Sequence, residues 1–200
     1  MLTNSTPVDR GPDYYHALYQ VAKNINSTLS LQHVLDLVVE STAKAMGAKA
    51  CSLRLLNDTR ERLEVGATYG LSREYIEKGP VEVSNSQIDR EALSGRVVRV
   101  RDAAYDARVQ YPHEAKSEGI ASMLVVPVMV RDFAIGVMRV YTAEPHEFTD
   151  DEVEFLRAVA NLGGLAIENA RVYETLQAQF ESIRREKIPW AENFRKPAWR

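Results

Sequence analysis

The side chains best equipped for chemistry in this sequence are one cysteine, Cys51, and four histidines, His16, His33, His113 and His146. A thiol attacks or ligates as its thiolate, which calls for exposure and nearby positive charge. Cys51 lies instead within the apolar run ACSLRLL and reads as a buried structural thiol. The histidines show no H-x-x-x-H or H-E-x-x-H spacing, so no two share a helix face as zinc ligands, and no metal site is expected. His16 and His33 fall on helical patterns and are expected in solvent, and His146 is a turn residue between Pro145 and Glu147. His113 stands apart in a polar stretch after Tyr111-Pro112, although an exposed loop position is the simpler expectation for it. No Ser–His–Asp ordering rises above chance, so no residue is assigned a catalytic role. Gly163-Gly164 follows no strand and precedes no P-loop lysine. That pair reads as close packing or a weak point in a helix, where glycine costs about 1 kcal/mol relative to alanine.

Composition narrows the classes further. The chain has 200 residues, 45% apolar and 26% charged, which suits one globular domain with helical extensions. A net charge of −3 offers no footprint for nucleic acid. A single cysteine forms no intrachain disulfide, which favours the cytoplasm. The N-terminus lacks a secretory signal pattern, and no apolar run approaches the roughly 20 residues of a membrane span, so no membrane role is expected.

The elements that would position these residues follow from periodicity. Residues 1–12 are polar and read as a disordered lead-in. Tyr15, Leu18, Ala22, Ile25 and Leu29 recur by threes and fours, predicting a helix over 14–29. Ser30 is a candidate N-cap for a second helix that Gly47 ends. Strands are expected over 50–56 and 63–69, joined as a hairpin. Short helices are expected over 72–78 and 86–93, with Val81-Glu82-Val83 alternating between them and a half-exposed strand over 96–101. Residues 102–119 carry little periodicity, and a connection that long is usually functional or mobile. Strong strands follow over 122–131 and 135–142, and Pro127 within the first predicts an edge position or a bulge. Thr149 and Glu152 form a capping box for a long helix that runs to about Lys187, where Ile188-Pro189 stops it. The order predicts an α+β fold, an antiparallel sheet with helices packed on one face.

That last helix keeps a seam beyond the expected end of the domain. Phe155, Ala158, Leu162, Leu165, Asn169, Val172, Leu176, Gln179 and Ile183 follow 3-4 spacing. Past Ala170, continued apolar positions argue for a partner helix, and Asn169 at an a position favours an in-register parallel homodimer. The expected dimer surface is Leu165, Asn169, Val172, Leu176 and Ile183, with Tyr15, Leu18, Ala22 and Ile25 from the first helix. A C-terminal part over 179–200 combines the helix extension with a tail carrying Trp190, Phe194 and Trp199 among basic residues, expected to dock on the domain or on a signalling partner protein.

Residues 122–178 resemble the C-terminal half of a GAF domain. The carriers are SMLVVPVMVRDFAIGVMRVYT, the P-x-x-F at 145–148, the acidic helix start Asp150-Asp151-Glu152 and LAIENARVYETL. Upstream, ACSLRLL, Tyr69-Gly70-Leu71-Ser72 and Leu93-Ser94-Gly95-Arg96-Val97-Val98 resemble the family's earlier strands and pocket helix, so that the domain would span 13–178. The resemblance implies signalling helices on one face of the sheet and, on the other, a small-molecule pocket roofed here by residues 84–120. The pocket candidates are Tyr105, Asp106, Tyr111, His113 and Ser122, beside the apolar Met123 and Val125. Family ligands range from cyclic nucleotides to haem, bilins and metabolites, which leaves the cofactor open. Bilin attachment through a loop cysteine and reduction of free methionine sulfoxide by several cysteines both lack their residues here. The Asn-Lys…Phe-x-x-x-Asp-Glu signature of cyclic-nucleotide members is absent. His113 does not match the spacing from Pro127 of a haem ligand. The reading is a non-catalytic, cytoplasmic, dimeric sensor, with a ligand-free scaffold for dimerisation or partner binding as the alternative.

Overall fold

Serine and glycine set the limits of the helix that anchors the structure. In the computed structural model, which describes residues 14–25 and 30–187, Ser30 is extended and its hydroxyl accepts from the His33 N–H at 3.4 Å. At the other end Gly47 adopts φ +58°, the left-handed conformation a helix terminus needs. The Ala48 and Gly47 N–H groups then donate back to the Ala43 and Lys44 carbonyls, a Schellman closure. These caps bound α2 (Leu31–Ala45), which follows α1 (Tyr14–Ile25). Leu29, residues 1–12, the Ile188-Pro189 stop and the tryptophan-bearing tail lie outside the described residues.

The chain continues as β1 (Ala50–Leu56), β2 (Arg62–Tyr69), α3 (Arg73–Ile76), β3 (Val81–Glu82), α4 (Gln87–Leu93), β4 (Val98–Val100), α5 (Pro112–Ser117), β5 (Ser122–Val130), β6 (Phe133–Thr142) and α6 (Asp150–Lys187). One antiparallel sheet results, in the order β3-β2-β1-β6-β5-β4. The fold is α+β, as its element order predicts. Among the described residues no helix is long and apolar enough to cross a membrane.

Two cores lie on the two faces of this sheet. On one, Cys51, Leu53, Leu124, Val126, Met138 and Val140 meet α1, α2 and the first half of α6. On the other, Ala50, Leu63, Val125, Val137 and Tyr141 meet the short helices and loops between β2 and β5. The parity of β2 changes at Gly66, where a bulge in the β1–β2 ladder places Leu63 on one face and Ala67 on the other. The capping box of α6 is reciprocal, with Glu152 N–H donating to Thr149 Oγ1 at 3.2 Å and Thr149 N–H to Glu152 Oε2 at 2.7 Å. Gly164 explains the glycine pair. A Cβ there would stand 2.3 Å from the Met129 carbonyl oxygen, so α6 approaches β5 more closely than a side chain allows.

Several expectations need correction or refinement. β5 lies inside the sheet, but β4 pairs only with Met123–Val125, so Pro127 has one locally unpaired side, and it directly precedes the bulge at Val128/Met129. The stretch 102–119 is not featureless, because Pro112 starts α5 and Ala103 and Ala115 are buried. The residues expected on the dimer surface of α1 divide between its own core and solvent. Val21 is buried, Tyr14, Leu18 and Ile25 pack beside it, and the Tyr14 ring stacks on Phe155 at 4.4 Å, leaving Tyr15 exposed.

Candidate functional site

Strand alternation brings charge to the face away from the long helices. In β1, Cys51 and Leu53 point to the helices, so Ser52 and Arg54 point the other way with Ala50. In β6, Met138 and Val140 face the helices, and Arg139 shares the opposite face with Val137 and Tyr141. Ser52 and Arg139 are cross-strand partners. Arg54 is 3% exposed and Arg139 7%, values that two guanidiniums reach only when something compensates them.

The compensation comes from α4. Ser86 caps this helix by accepting from the Asp89 N–H at 3.4 Å, which holds Asp89 in the first turn, above the sheet and fully buried. Asp89 Oδ1 accepts a hydrogen bond from Arg139 Nη2. Burial pulls the Arg139 pKa down, but Asp89 outweighs it and the net displacement is upward. Arg54 has no such carboxylate; burial and the nearby Arg139 charge lower its pKa, and its Nη1 donates only to the Leu63 carbonyl at 3.3 Å.

Between Arg139 and the covering segments lies a cavity of about 20 Å³. Tyr75 comes from α3, and its ring meets Tyr141 edge-on at 6.2 Å. Lys78 follows, with its Nζ 3.6 Å from the Tyr75 ring centroid and 5.6 Å from that of Tyr111, donating to the Tyr75 carbonyl at 3.0 Å. Burial, helped by Arg54 and Arg139, lowers the Lys78 pKa to about 7. The Tyr111 hydroxyl donates to the Pro80 carbonyl at 2.8 Å, and only glycine fits at position 79, where a Cβ would meet that hydroxyl oxygen at 2.8 Å. Three buried polar atoms on residues that line the cavity, Asp89 Oδ2, Gln110 Oε1 and Arg139 Nε, make no hydrogen bond within the described protein, and neither does the buried Arg54 Nε. Such atoms cost about 1–3 kcal/mol each unless a ligand or water serves them.

A larger cleft, about 460 Å³, opens between α3 and α5, lined by Glu74, His113, Glu114 and Glu118 among others. Its central carboxylate is already served, since Glu118 accepts from the Ser72 hydroxyl and N–H and pairs with Lys49 at 3.5 Å. The small cavity, with buried charge and unmet valences, is therefore the better site despite its size.

Of the expected pocket residues, Tyr111 and Met123 line this cavity, and Val125 is buried in the same apolar cluster. The others are not brought to it. Tyr105 is 81% exposed, and Asp106 turns to Arg108, whose guanidinium holds its carboxyl below the usual range. His113 faces the outer cleft. Ser122 donates to the Arg101 carbonyl at 2.6 Å and accepts from the His146 N–H at 2.9 Å, which ties β5 to neighbouring backbone. Sequence reasoning missed Arg54, Asp89, Arg139 and Lys78. A signal existed for two of them, since a charge inside a strongly apolar strand marks either a solvated face or a buried site.

The expected dimer residues divide similarly. Leu165, Asn169, Val172, Leu176 and Ile183 are all exposed along α6, joined by Tyr173 and Phe180, which sequence reasoning missed. Leu18 and Ile25 pack on their own core, whereas Ala22 is half-buried.

Comparisons with known proteins agree with this fold. The GAF domain family profile matches residues 28–168. The chain is 27% identical over 176 residues to the Nif-specific regulatory protein of Herbaspirillum seropedicae, covering 85% of this chain and 32% of that one. It is 28% identical over 163 residues to the methyl sulfide methyltransferase-associated sensor of Methanosarcina acetivorans, covering 79% and 16%. The chain thus spans a third or less of these relatives' lengths. Among solved structures, the GAF domain from an Acinetobacter phosphoenolpyruvate-protein phosphotransferase superposes with a TM-score of 0.68 at 28% identity, over 79% of this chain and 94% of that one.

Proposed function

This chain belongs to the GAF domain family, and we propose that it is a non-catalytic, cytoplasmic sensor module that binds a small molecule in the Arg139–Asp89 cavity and signals through a helical homodimer. The two similar relatives named above are a regulator and a sensor. One observation carries the binding half: two buried guanidiniums and a buried carboxylate with unmet hydrogen bonds in an otherwise apolar layer. Buried ion pairs contribute little net stability, because desolvation offsets the attraction. Their presence is better explained by a ligand. The non-catalytic half is supported by Cys51, the one thiol of the chain, whose pKa burial pushes up so that little thiolate forms. The cytoplasmic setting rests on that lone cysteine, and the absence of nucleic acid or membrane among the partners on a net charge of −3 and the lack of a membrane-length apolar run.

The signalling half rests on α6. Its 38 residues extend about 57 Å, and residues 171–184 are exposed throughout. An isolated solvated helix has no reason to carry Val172, Leu176, Phe180 and Ile183; a second copy in register would cover them, with Asn169 fixing that register. A thermal-shift screen over metabolites tests the first half, and light scattering on wild type and Leu176→Asp tests the second. A dimer that Leu176→Asp weakens while the melting transition persists is expected; a wild-type monomer at tens of micromolar would refute it.

A ligand-free scaffold is the second reading, favoured by the small volume of the cavity, about 20 Å³. Strong hydrogen-exchange protection of residues 102–119, combined with a screen that shifts nothing, decides for it.

A further inference from the structure

We infer, resting on the sensor reading above, that the ligand is a small hydroxycarboxylate anion, its carboxylate accepting from Arg139 and Lys78 and its hydroxyl donating to Asp89. Charge is the first ground. Arg54 and Arg139 against Asp89 leave one buried positive charge, and a protonated Lys78 at the mouth adds another. In a desolvated site such an excess favours an anion over a neutral or cationic guest.

The unmet valences are the second ground, because they are of both kinds. Arg139, which lines the cavity, commits Nη2 to Asp89 and keeps Nε as a donor without a partner. Asp89 commits Oδ1 and keeps Oδ2, an acceptor only, and Gln110 Oε1 is a second free acceptor on the wall. A plain carboxylate satisfies the donor and leaves the acceptors unserved, with its own charge set against that of Asp89. A guest with a hydroxyl beside its carboxylate serves both. An ammonium in place of the hydroxyl would return the cationic excess that the carboxylate neutralises, so the hydroxy form fits better than the amino form.

Size is the third. A cavity of about 20 Å³ exceeds the roughly 10–15 Å³ needed to seat one water. It admits only a small polar group, with the half-buried Lys78, Gln110 and Tyr111 beside it to hold the remainder of a guest. Nucleotides and tetrapyrroles are far too large.

The test is calorimetric titration of the purified chain at about pH 6, below the Lys78 midpoint, with glycolate, acetate, glycolamide and inorganic phosphate at constant ionic strength. A hydrogen bond to a buried carboxylate should make glycolate bind about tenfold tighter than acetate. Glycolamide, which keeps the hydroxyl but not the charge, should not bind, and phosphate should bind more weakly than glycolate. Asp89→Asn should shrink the glycolate preference to about threefold or less, with acetate bound at least as tightly as by wild type. Lys78→Met, at a half-buried position, should weaken both carboxylates about tenfold and covers the case in which Asp89→Asn fails to fold. Equal binding of acetate and glycolate overturns the inference, as does preference for phosphate. Glycolamide binding as well as glycolate overturns it too, but leaves the sensor reading standing. If none of the four binds, the inference fails; the metabolite thermal-shift screen then separately decides the sensor reading.

Discussion

Replacing Arg139 with Met should cost much more than its removal from the surface of a sheet would. Met keeps most of the aliphatic volume of the side chain, so the loss is electrostatic rather than a cavity. Asp89 is fully buried and has no other hydrogen-bonding partner for its side chain among the described residues than Arg139. Breaking a buried pair by removing one member typically costs 3–5 kcal/mol. Arg54 remains close enough to interact with Asp89 and softens that loss, which sets the expectation near the lower bound, about 3 kcal/mol. For a chain of this size that is roughly 6–12 °C in Tm, read by urea unfolding and by scanning calorimetry. The double variant Arg139→Met/Asp89→Leu removes both charges and should recover most of the loss, reaching wild-type stability or exceeding it by about 1–4 kcal/mol. The reasoning is refuted if the single variant loses less than about 1 kcal/mol, or if the double variant is no more stable than the single. Recovery in the double variant, with loss of ligand binding, would mean that the pair serves recognition rather than folding.

The remaining expectations concern neighbouring features. Gly164→Ala, which drives a Cβ against the Met129 carbonyl, should lose about 1–2 kcal/mol, whereas Gly163→Ala, whose Cβ meets only Leu53 Cδ1 at 3.6 Å, should be neutral or gain up to about 1 kcal/mol in chemical unfolding. Lys78, faced by Arg54, Arg139, Asp89, Glu114 and the rings of Tyr75 and Tyr111, should make carboxylate affinity fall as pH rises through about 7, a dependence that Lys78→Met abolishes in titrations across pH. Unliganded stability moves the opposite way, because between about pH 7 and the ordinary lysine value the unfolded chain binds more protons than the folded one, so the contribution of Lys78 to stability rises with pH there. Cys51 should resist a thiol reagent at about pH 8 until the protein unfolds, and Cys51→Ala should leave ligand binding unchanged; rapid labelling of the native protein would contradict its burial.

The helices and strands were legible because their signals are local. Ser30, Gly47 and the Thr149/Glu152 box act within one turn; strands 122–131 and 135–142 declare themselves by β-branched content, and 50–56 by its short apolar run opposite a second one across a polar turn. Which face of α1 meets the core was not legible, since Tyr15 and Tyr14 both satisfy a helical stripe and only the stacking partner Phe155, far along the chain, selects Tyr14. The site was mostly hidden for the same reason. Polar residues of the irregular segment 102–119 drew attention to Tyr105, Asp106 and His113, yet Asp106 is taken by Arg108, and the first and last face outward. The chemistry lies on the regular elements beneath. Arg54 and Arg139 sit at inward positions of alternating strands, and taking the alternation of β1 and β6 literally would have placed both beside Ser52 and Tyr141. Asp89 carried no such mark, because an acidic residue in the first turn of a helix is ordinarily a solvated dipole partner.

The two faces of the sheet are separated by a single layer of backbone, and this gives the sensor reading a physical route. Arg139 stands between Met138 and Val140, which are buried in the helix-side core with Leu156, Val159 and Ile167 of α6. A guest that draws on the Arg139 guanidinium would therefore bear on a strand whose adjacent side chains share a core with α6. The contact of α6 with β5 is tight at one point, where Gly164 leaves no side chain between the helix and the Met129 carbonyl, one step past the bulge at Val128/Met129. A bulge is where a strand yields most readily, and a glycine contact is where a helix has least freedom to slide. Movement of β6 and β5 on binding would thus be absorbed as rotation of α6 about its Gly164 contact rather than as translation along it. In the proposed dimer, rotation is also the motion that would change which of Leu165, Val172 and Leu176 a partner helix meets, which is how a guest in the cavity would reach the seam.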